Sequence, residues 1–228
     1  FSGCLICGAP VTYSVESSVK TCSICHKEQL TNAVCENGHF VCDACHSYGT
    51  YAPVIAALRD STEKDALLLL EKIMDLPSVH MHGPEHHAIV PCVLLTAFRN
   101  NGEHMDYDAA LSEICKRAKQ VPGGTCGYWG VCGAAAGAGI FMSVMTGSSP
   151  LHKDAWPFPQ KLVSIILSRL ADVGGPRCCK RTSRIAIEEA VHFYSQFCSV
   201  NIPLSSITCK YCEDNRECIQ EDCPYYPE

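Results

Sequence analysis

The sequence has no run of 18 or more apolar residues, so no membrane-spanning helix is expected. It also has no excess of basic residues: the net charge is −6, which leaves no broad positive field for a nucleic-acid backbone. The first residues, FSGCLICGAP, lack the basic and apolar regions of a signal peptide. Internal repeats and low-complexity segments are absent too. A chain of 228 residues that is 47% hydrophobic is therefore expected to form one ordinary globular core.

Cysteine is the abundant residue, with 18 copies. Such a count is typical of a secreted disulfide scaffold or of metal and redox chemistry in a reducing compartment. Long Ala/Leu/Ile helical patterns and repeated C-x-x-C spacings favour the second interpretation, because C-x-x-C turns two thiolates toward one ion. We therefore expect a cytoplasmic protein, with structural disulfides as the alternative.

The chain divides into three parts by composition. Residues 1–48 hold seven cysteines and little apolar periodicity, and residues 207–228 form a second cysteine-rich segment. Between them, residues 49–206 carry apolar residues at helical spacing. The sequence predicts a mainly α fold: a helical bundle with a small N-terminal zinc-ribbon or zinc-finger module and a cysteine-rich tail. Helices are expected within 51–76, 84–100, 106–120, 125–145, 159–173 and 183–199.

The N-terminal part contains two possible sets of zinc ligands. Two C-x-x-C turns lie 14 residues apart, with the strand-like VTYSVESS between them, and CENGHFVCDACH follows. Sequential pairing is the simpler arrangement, with an interleaved cross-brace of Cys4, Cys7, Cys35 and His39 as the alternative. Closed four-ligand zinc sites are typically structural, and iron could occupy the same thiolates. The sequential sets are Cys4, Cys7, Cys22 and Cys25, then Cys35, His39, Cys42 and Cys45, with His46 as another fourth ligand.

The stretch SVHMHGPEHH concentrates four histidines around Glu85. Neutral imidazoles beside a carboxylate could bind a metal or shuttle protons. Histidines in the first turn of a helix also commonly bond neighbouring backbone groups, which is the plainer interpretation. The candidate metal ligands are His80 and His82, and the candidate catalytic residues are His86 and His87.

Glycines follow two cysteines in CGYWGVCGAAAGAGI, residues 126–140. If 125–145 is one helix, Gly127, Gly130, Gly133 and Gly137 form a stripe without side chains. Each glycine costs about 1 kcal/mol relative to alanine in a helix. Something must therefore approach closely: either another helix or a cofactor, such as an iron–sulfur cluster or a nucleotide, held by Cys126 and Cys132.

A second cysteine pair lies in GGPRCCKRTS, directly before a predicted helix. Nearby cations and a helix N-terminus favour thiolate over thiol, so Cys178 and Cys179 are candidate ligands or nucleophiles. The cations Arg177, Lys180 and Arg181 could also receive an anionic substrate. The alternative is surface cations beside buried cysteines.

The C-terminal segment supplies four more thiolates, and a proline directly follows its last cysteine. Compact sets of this kind bind iron–sulfur clusters in ferredoxins, although the spacing here differs, and zinc fits equally well. The candidate ligands are Cys209, Cys212, Cys218 and Cys223.

Several of these motifs together resemble a known group of proteins. HMHGPEHHAIVP, CGYWGVCGAAAGAG, GGPRCCKR and the tail are similar to an uncharacterised family of cysteine-rich proteins from anaerobic bacteria and archaea. VCGAAAGAG also resembles part of the redox-active Cys/Gly-Cys-Ala-x-x-Gly/Cys/Cys family, except that Gly133 follows Cys132 and that Cys178 and Cys179 are adjacent. The resemblance to the second family implies a redox centre.

The sequence therefore predicts a cytoplasmic metalloprotein with zinc and, as a second cofactor, an iron–sulfur cluster. Cys126, Cys132, Cys178 and Cys179 would form a redox or sulfur-handling centre that serves a redox or sulfur-transfer protein partner. A non-catalytic zinc-binding adaptor is the first alternative. A zinc-dependent hydrolase using the histidines is the second, although the chain has no His-Glu-x-x-His motif.

Overall fold

The computed structural model describes residues 3–228, and this range is mainly helical. An antiparallel hairpin comes first, followed by nine α-helices and one 3-10 turn at Gln220–Asp222. The strands are β1 (Val11–Thr21) and β2 (Glu28–Cys35). The helices are α1 (Asp43–His46), α2 (Tyr51–Asp60), α3 (Ala66–Met74), α4 (His86–Asn100), α5 (Tyr107–Ala118), α6 (Thr125–Tyr128), α7 (Gly133–Thr146), α8 (Pro157–Val173) and α9 (Cys179–Tyr194).

Helix α4 lies at the centre of the bundle. Every residue from His86 to Phe98 is buried, and α4 packs against α2, α3, α5, α7 and α9. A helix that is apolar on all sides is expected in exactly this position, where no face meets water. Three aromatic rings close the core at its far end: Phe98 lies 5.5 Å from Phe141 and 4.7 Å from Tyr194, measured between ring centroids.

Two of the predicted helices are divided in the structure. The pattern across 51–76 becomes α2 and α3, because the buried Asp65 carboxylate accepts hydrogen bonds from the amides of Leu67 and Leu68 and starts a new helix. The pattern across 125–145 becomes α6 and α7, because Gly130 adopts a φ of +67° and turns the chain. By contrast, α4 continues through Pro91 without a break.

Gly133 and Gly137, the second half of the glycine stripe, form a helix-packing seam. A Cβ on Gly133 would lie 2.1 Å from the His87 ring, and one on Gly137 would lie 2.5 Å from the His87 carbonyl oxygen and 2.9 Å from Pro91. Pro91 has no N–H to pair with that carbonyl, so α7 can approach it directly. Nothing lies within 4 Å of such a Cβ on Gly127 or Gly130. Close packing against α4 thus accounts for Gly133 and Gly137, whereas the predicted cofactor-binding role of Gly130, Gly133 and Gly137 stays a prediction.

Helix α9 joins the bundle to the C-terminal segment. Its Arg184 is fully buried, and the guanidinium makes two hydrogen bonds to Glu71 on α3, at 2.7 and 2.9 Å. The rings of Tyr211 and Tyr225 lie against the same guanidinium, 5.6 and 5.2 Å from its carbon. The ion pair with Glu71 compensates part of the cost of burying the cation, and the two tyrosine rings fasten the tail to the bundle. The tail contains no α-helix in the described residues.

The hairpin module contacts the bundle mainly near α6. Asp43 accepts a hydrogen bond from the Gly123 amide at 2.7 Å, and the Tyr128 hydroxyl donates to the Ser14 carbonyl at 2.8 Å. The small apolar cluster of Cys22, Phe40 and Cys42 is separate from the main core. Domain boundaries at residues 48 and 206 stay a prediction. None of the helices in residues 3–228 is both long and apolar enough to cross a membrane.

Replacement of Gly137 by alanine tests the packing seam. The new Cβ would press on the backbone of α4, and overpacking of this kind costs about 1–3 kcal/mol, which exceeds the gain of about 1 kcal/mol in helix propensity. We expect the free energy of unfolding, measured by urea denaturation, to fall. Gly127→Ala is the matched control, because open space surrounds that position. Equal stability of the two variants would contradict the seam.

Candidate metal centre

The first group of ligands lies at the open end of the hairpin, where β1 begins and β2 ends. Cys4, Cys7, Cys35 and His39 offer ligand atoms that all lie within 4.8 Å of one another. The Cys7 and Cys35 sulfurs are 3.9 Å apart, and the His39 Nδ1 atom lies 3.3 Å from the Cys7 sulfur. Sulfurs bound at 2.3 Å around a tetrahedral ion are about 3.8 Å apart, so this spacing suits one metal ion.

The second group joins the hairpin turn to the start of α1. Cys22, Cys25, Cys42 and Cys45 again lie within 4.8 Å of one another, and the Cys25 and Cys42 sulfurs are 3.8 Å apart. A hydrogen bond from the Ser23 amide to the Phe40 carbonyl, 2.7 Å long, holds the returning chain against the turn. This set of four cysteines could also hold a metal ion.

The two groups interleave along the chain, which corrects the sequential pairing. The pairing of Val11 with Cys35 and of Thr21 with Glu28 explains the arrangement. An antiparallel hairpin brings residues before β1 beside those after β2, and leaves Cys22 and Cys25 at the opposite end. Cys4 and Cys7 therefore meet Cys35 and His39. The cross-brace, which was the alternative, is the arrangement observed.

Backbone amides direct their hydrogens at the sulfurs. The Ile6 amide donates to the Cys4 sulfur, the Ile24 and Cys42 amides donate to Cys22, and the His39 amide donates to Cys35. Amide donors, that of Ala9 first, lower the pKa of Cys7 to about 6. At Cys22 burial opposes ionisation, but three amides outweigh it and lower the pKa to about 6. One thiol of each group thus favours the thiolate, which is the form that binds metal, whereas burial raises the pKa of Cys4, Cys42 and Cys45.

A third group of possible metal ligands lies where the hairpin module meets the bundle. It consists of His46 at the end of α1, His80 in the following loop and Glu85 at the N-cap of α4. Glu85 is fully buried, with Oε1 3.0 Å from His80 Nδ1 and Oε2 3.3 Å from His46 Nδ1. The His46 and His80 rings are 4.7 Å apart and are both partly exposed.

The contact between His46 and Glu85 is not a hydrogen bond. Among residues 3–228, eight buried side-chain N or O atoms lack a hydrogen-bond partner, and His46 Nδ1 and Glu85 Oε2 are two of them. They face each other at 3.3 Å. The two atoms are close enough for an ion pair but do not meet the geometry of a hydrogen bond, and an ion bound between them would satisfy both. The ion would have three protein ligands.

Gly83 makes room for the carboxylate of this group. A Cβ at position 83 would lie 2.1 Å from Glu85 Oε2, and the buried carboxylate has little freedom to move away. The motif His-Gly-Pro-Glu is explained by this geometry: Gly83 leaves the space, Pro84 leads into α4 and Glu85 supplies the carboxylate. The imidazoles of His46 and His80 lower the pKa of Glu85 despite its burial, so that it is ionised.

The other three histidines of the motif face different partners. His82 Nε2 lies 3.0 Å from Asn215 Oδ1 and 3.2 Å from Glu217 Oε2, which ties the loop to the tail. His86 donates from Nε2 to the His80 carbonyl at 3.0 Å, and burial lowers its pKa to about 3. His87 donates to the Val121 carbonyl. The structure therefore favours a packing role for His86 and His87 over the predicted catalytic one.

Two of the four predicted thiols, Cys178 and Cys179, lie at the start of α9. Cys178 is the N-cap of α9 and accepts a hydrogen bond from the Arg181 amide, whereas Cys179 begins the helix. Burial raises the pKa of Cys178, and the charges of Cys209 and Cys223 add to this effect. Burial also comes first at Cys179 and Cys126, where the charge of Cys132 adds to it, together with that of Cys178 at Cys179. Burial is the largest cause at all three positions and raises the pKa of Cys179 to about 12. The predicted catalytic roles of Cys126, Cys132, Cys178 and Cys179 stay predictions.

The cations beside these cysteines are largely occupied. Lys180 is buried and donates to the Met74 carbonyl at 3.0 Å. Arg181 is buried and donates to the carbonyls of Gly174 and Pro176. Arg177 lies over the Tyr13 ring, 4.8 Å from its centroid. Lys180 and Arg181 therefore support the backbone rather than an anionic substrate.

The tail cysteines do not form a compact ligand group. In residues 3–228, none of the sets with all ligand atoms within 4.8 Å includes Cys209, Cys212, Cys218 or Cys223. The Cys209 amide instead donates to the Tyr225 carbonyl, and the Cys212 sulfhydryl lies 3.9 Å from the Cys209 carbonyl. A metal or cluster in the tail stays a prediction.

Sequence reasoning missed two features. His46 was considered only for a zinc finger, because nothing in the local pattern links it to His80 and Glu85 across 34 residues or more. Cys92 on α4 and Cys115 on α5 were overlooked, although their sulfurs lie 3.7 Å apart. The buried positions of two successive helices could have indicated that contact.

Comparison with known proteins identifies the family but not an activity. No curated protein and no solved structure matches the chain. Residues 54–226, which begin after the two interleaved ligand groups, match a family of unknown function, DUF5714. Because this match covers most of the sequence, the chain belongs to the DUF5714 family.

Proposed function

We propose that this protein is a zinc-dependent hydrolase in which the third group, His46, His80 and Glu85, holds the catalytic ion and the two interleaved groups hold structural ions. The observation that carries the proposal is the convergence of three ligand atoms, from His46, His80 and the fully buried Glu85, all within 4.8 Å of one another. Two histidines and one carboxylate are the ligand set of several zinc hydrolases.

Zinc is the ion that best suits the two closed groups. Sets of four cysteines, and of three cysteines with one histidine, are typical structural zinc sites, and their sulfur spacing here fits a tetrahedron. His39 favours zinc over iron in the first group. A module of fewer than 50 residues buries too little apolar surface to be stable alone, so the ions would supply much of its folding free energy.

The third group differs from these because it leaves one position open. With three protein ligands, the fourth position of a tetrahedral zinc ion is available for water, whose pKa the ion lowers to about 7. Glu85 would supply the negative charge from the buried side, and the partly exposed rings of His46 and His80 would border the solvent side. Substrate would therefore approach from the face on which the two imidazoles lie.

Neighbouring groups would keep the ligands in place. The His80 amide donates to Glu85 Oε1 at 3.2 Å, and His86 donates to the His80 carbonyl at 3.0 Å. His86 is thus a positioning residue that fixes the loop carrying His80. Second hydrogen bonds of this kind are the usual support of metal ligands in proteins.

The cysteine-based redox centre is less well supported as the function. Burial raises the pKa of Cys126, Cys178 and Cys179, which disfavours the thiolate form that a cluster ligand or nucleophile needs. Gly133 and Gly137 are explained without a cofactor, since α4 occupies the space beside them. The glycines at positions 133 and 137 therefore give no support to an iron–sulfur cluster at these thiols.

The interleaved pairing predicts which thiols depend on one another. Cys25→Ser should remove about one zinc ion per chain and release Cys22, Cys42 and Cys45 for alkylation, while Cys4, Cys7 and Cys35 stay protected. Sequential pairing would instead release Cys4, Cys7 and Cys22. Native alkylation with iodoacetamide, followed by peptide mass spectrometry, distinguishes the two patterns.

Two variants complete that experiment. Cys7→Ser should give the reciprocal pattern, with Cys4 and Cys35 released and the second set protected. Cys198→Ser is the control, because Cys198 belongs to none of the ligand groups. Release of all six remaining N-terminal cysteines in both Cys25→Ser and Cys7→Ser would show that the module unfolds as a unit, and would count against two separable ions.

The third site predicts a specific loss of one ion. The zinc-loaded protein should contain about three ions per chain, and His80→Ala about two. Gly83→Ala keeps all ligands but displaces the Glu85 carboxylate, and should weaken binding of the third ion about 10- to 100-fold. Hydrolysis of p-nitrophenyl acetate or bis-p-nitrophenyl phosphate should fall in parallel. Plasma mass spectrometry and absorbance at neutral pH provide the two readouts.

His82→Ala is the matched control, since His82 lies in the same loop but contacts Asn215 and Glu217. It should keep the third ion and the hydrolytic rate. If His80→Ala binds as much zinc as the unmodified protein, there is no third site. If the third ion binds but neither ester is hydrolysed above background, the hydrolytic role fails while the site remains.

A further inference from the structure

A cysteine pair away from the metal groups lies between α4 and α5. The sulfurs of Cys92 and Cys115 are 3.7 Å apart, which is van der Waals contact. In the described residues, this is the one sulfur–sulfur hydrogen-bonding contact that lies outside the metal-ligand groups. A disulfide bond is about 2.05 Å long, so the two sulfurs need to approach by less than 2 Å to form one.

The two cysteines differ in accessibility in a way that suits thiol–disulfide exchange. Cys92 is 1% exposed and belongs to the core, whereas Cys115 is half-buried and borders a surface groove of about 660 Å³ between α2 and α5. An external reagent can therefore reach Cys115 but not Cys92. The accessible sulfur would attack first, and the buried one would complete the reaction.

The groove has the chemistry of a small anionic ligand site. Its walls combine the apolar side chains of Tyr51 and Ile55 with the cations Arg59 and Lys119, and with Asp60 at the edge. Arg59 is paired with Asp108, but the Lys119 ammonium lies over the Tyr51 ring, 4.7 Å from its centroid, without a carboxylate partner in the described residues. Lys119 is thus the cation available to a carboxylate that enters the groove.

The same surroundings favour ionisation of the accessible thiol. The hydrogen bond from Cys92 lowers the pKa of Cys115, against burial, and the charges of Lys119 and Arg59 act in the same direction. The pKa of Cys92 is raised well above its ordinary value, by the neighbouring thiol first and then by burial. The proton of the pair therefore stays on Cys92 while Cys115 becomes the thiolate.

We propose that Cys92 and Cys115 form a redox-active dithiol that reduces low-molecular-weight disulfides bearing carboxylate groups. The Cys115 thiolate attacks one sulfur of the bound disulfide, whose S–S bond breaks to give a mixed disulfide and one thiolate. Cys92 then loses its proton and attacks the Cys115 sulfur, which releases the second thiolate. Both released thiolates take up protons. The two cysteines lose two electrons, and the external disulfide gains them.

This site is independent of the hydrolytic centre. Neither cysteine belongs to a metal-ligand group, and the groove lies on α2 and α5 rather than at the hairpin module. Removal of either thiol should therefore leave the metal content unchanged. Failure of one proposal does not affect the other.

Glutathione disulfide is the probe that tests the proposal, with the uncharged hydroxyethyl disulfide for comparison. The zinc-loaded chain is incubated with each reagent, quenched with iodoacetamide and digested for mass spectrometry. We expect a Cys92–Cys115 disulfide, and, in Cys92→Ala, a stable mixed disulfide on Cys115. Lys119→Gln should slow the reaction with glutathione disulfide about tenfold and leave the rate with hydroxyethyl disulfide unchanged.

Cys115→Ser and Cys198→Ser are a matched pair of controls, since both cysteines are partly exposed and only Cys115 has a sulfur neighbour in contact. Cys115→Ser should abolish the reaction, whereas Cys198→Ser should not. If Cys92→Ala fails to fold, the crosslink in the unmodified chain and its loss in Cys115→Ser still decide the matter. No crosslink, or equal modification of Cys115 and Cys198, would overturn the proposal.

Discussion

Helix α7 approaches the first turns of α4 so closely that only glycine fits at positions 133 and 137. The approach depends on Pro91, which leaves the His87 carbonyl without its usual partner, and on the His87 ring, which fills the space over Gly133. Because α4 contacts five other helices, the short distance between α4 and α7 constrains how the whole bundle packs. It also fixes the N-terminus of α4, and with it the buried carboxylate of Glu85.

The packing of α7 against α4 illustrates which features the sequence predicts and which it does not. Helical periodicity predicted a mainly α fold, and the helix expected within 106–120 is present as α5, capped by Asp106, which accepts a hydrogen bond from the Ala109 amide. The glycine stripe signalled a close approach, but its partner could not be identified, because a helix backbone and a cofactor both require the absence of a Cβ. The break between α6 and α7 at Gly130 could not be predicted for a similar reason. A glycine in the sequence is compatible both with a helix and with a turn of positive φ.

The metal ligands show the same limit in another form. The spacing of Cys4, Cys7, Cys22 and Cys25 predicted metal binding, and groups that could hold a metal are present. Spacing does not fix pairing, however, since the pairing depends on the register of β1 with β2. The third group could not be found locally at all. Its ligands come from two different units of structure, and they meet only because the hairpin module lies against α4.

His46 therefore links the two parts of the molecule. It directly follows Cys45, a ligand of the second closed group, so the ion that orders α1 would also orient the imidazole toward Glu85. The bundle supplies His80 and Glu85, and neither unit contains the complete site. Residues 54–226 define the family match, yet the third ligand lies before them. The hairpin module would then supply a metal ligand as well as stability. Without it, Glu85 would be a buried carboxylate with one imidazole partner, and no ion would offset the cost of its desolvation.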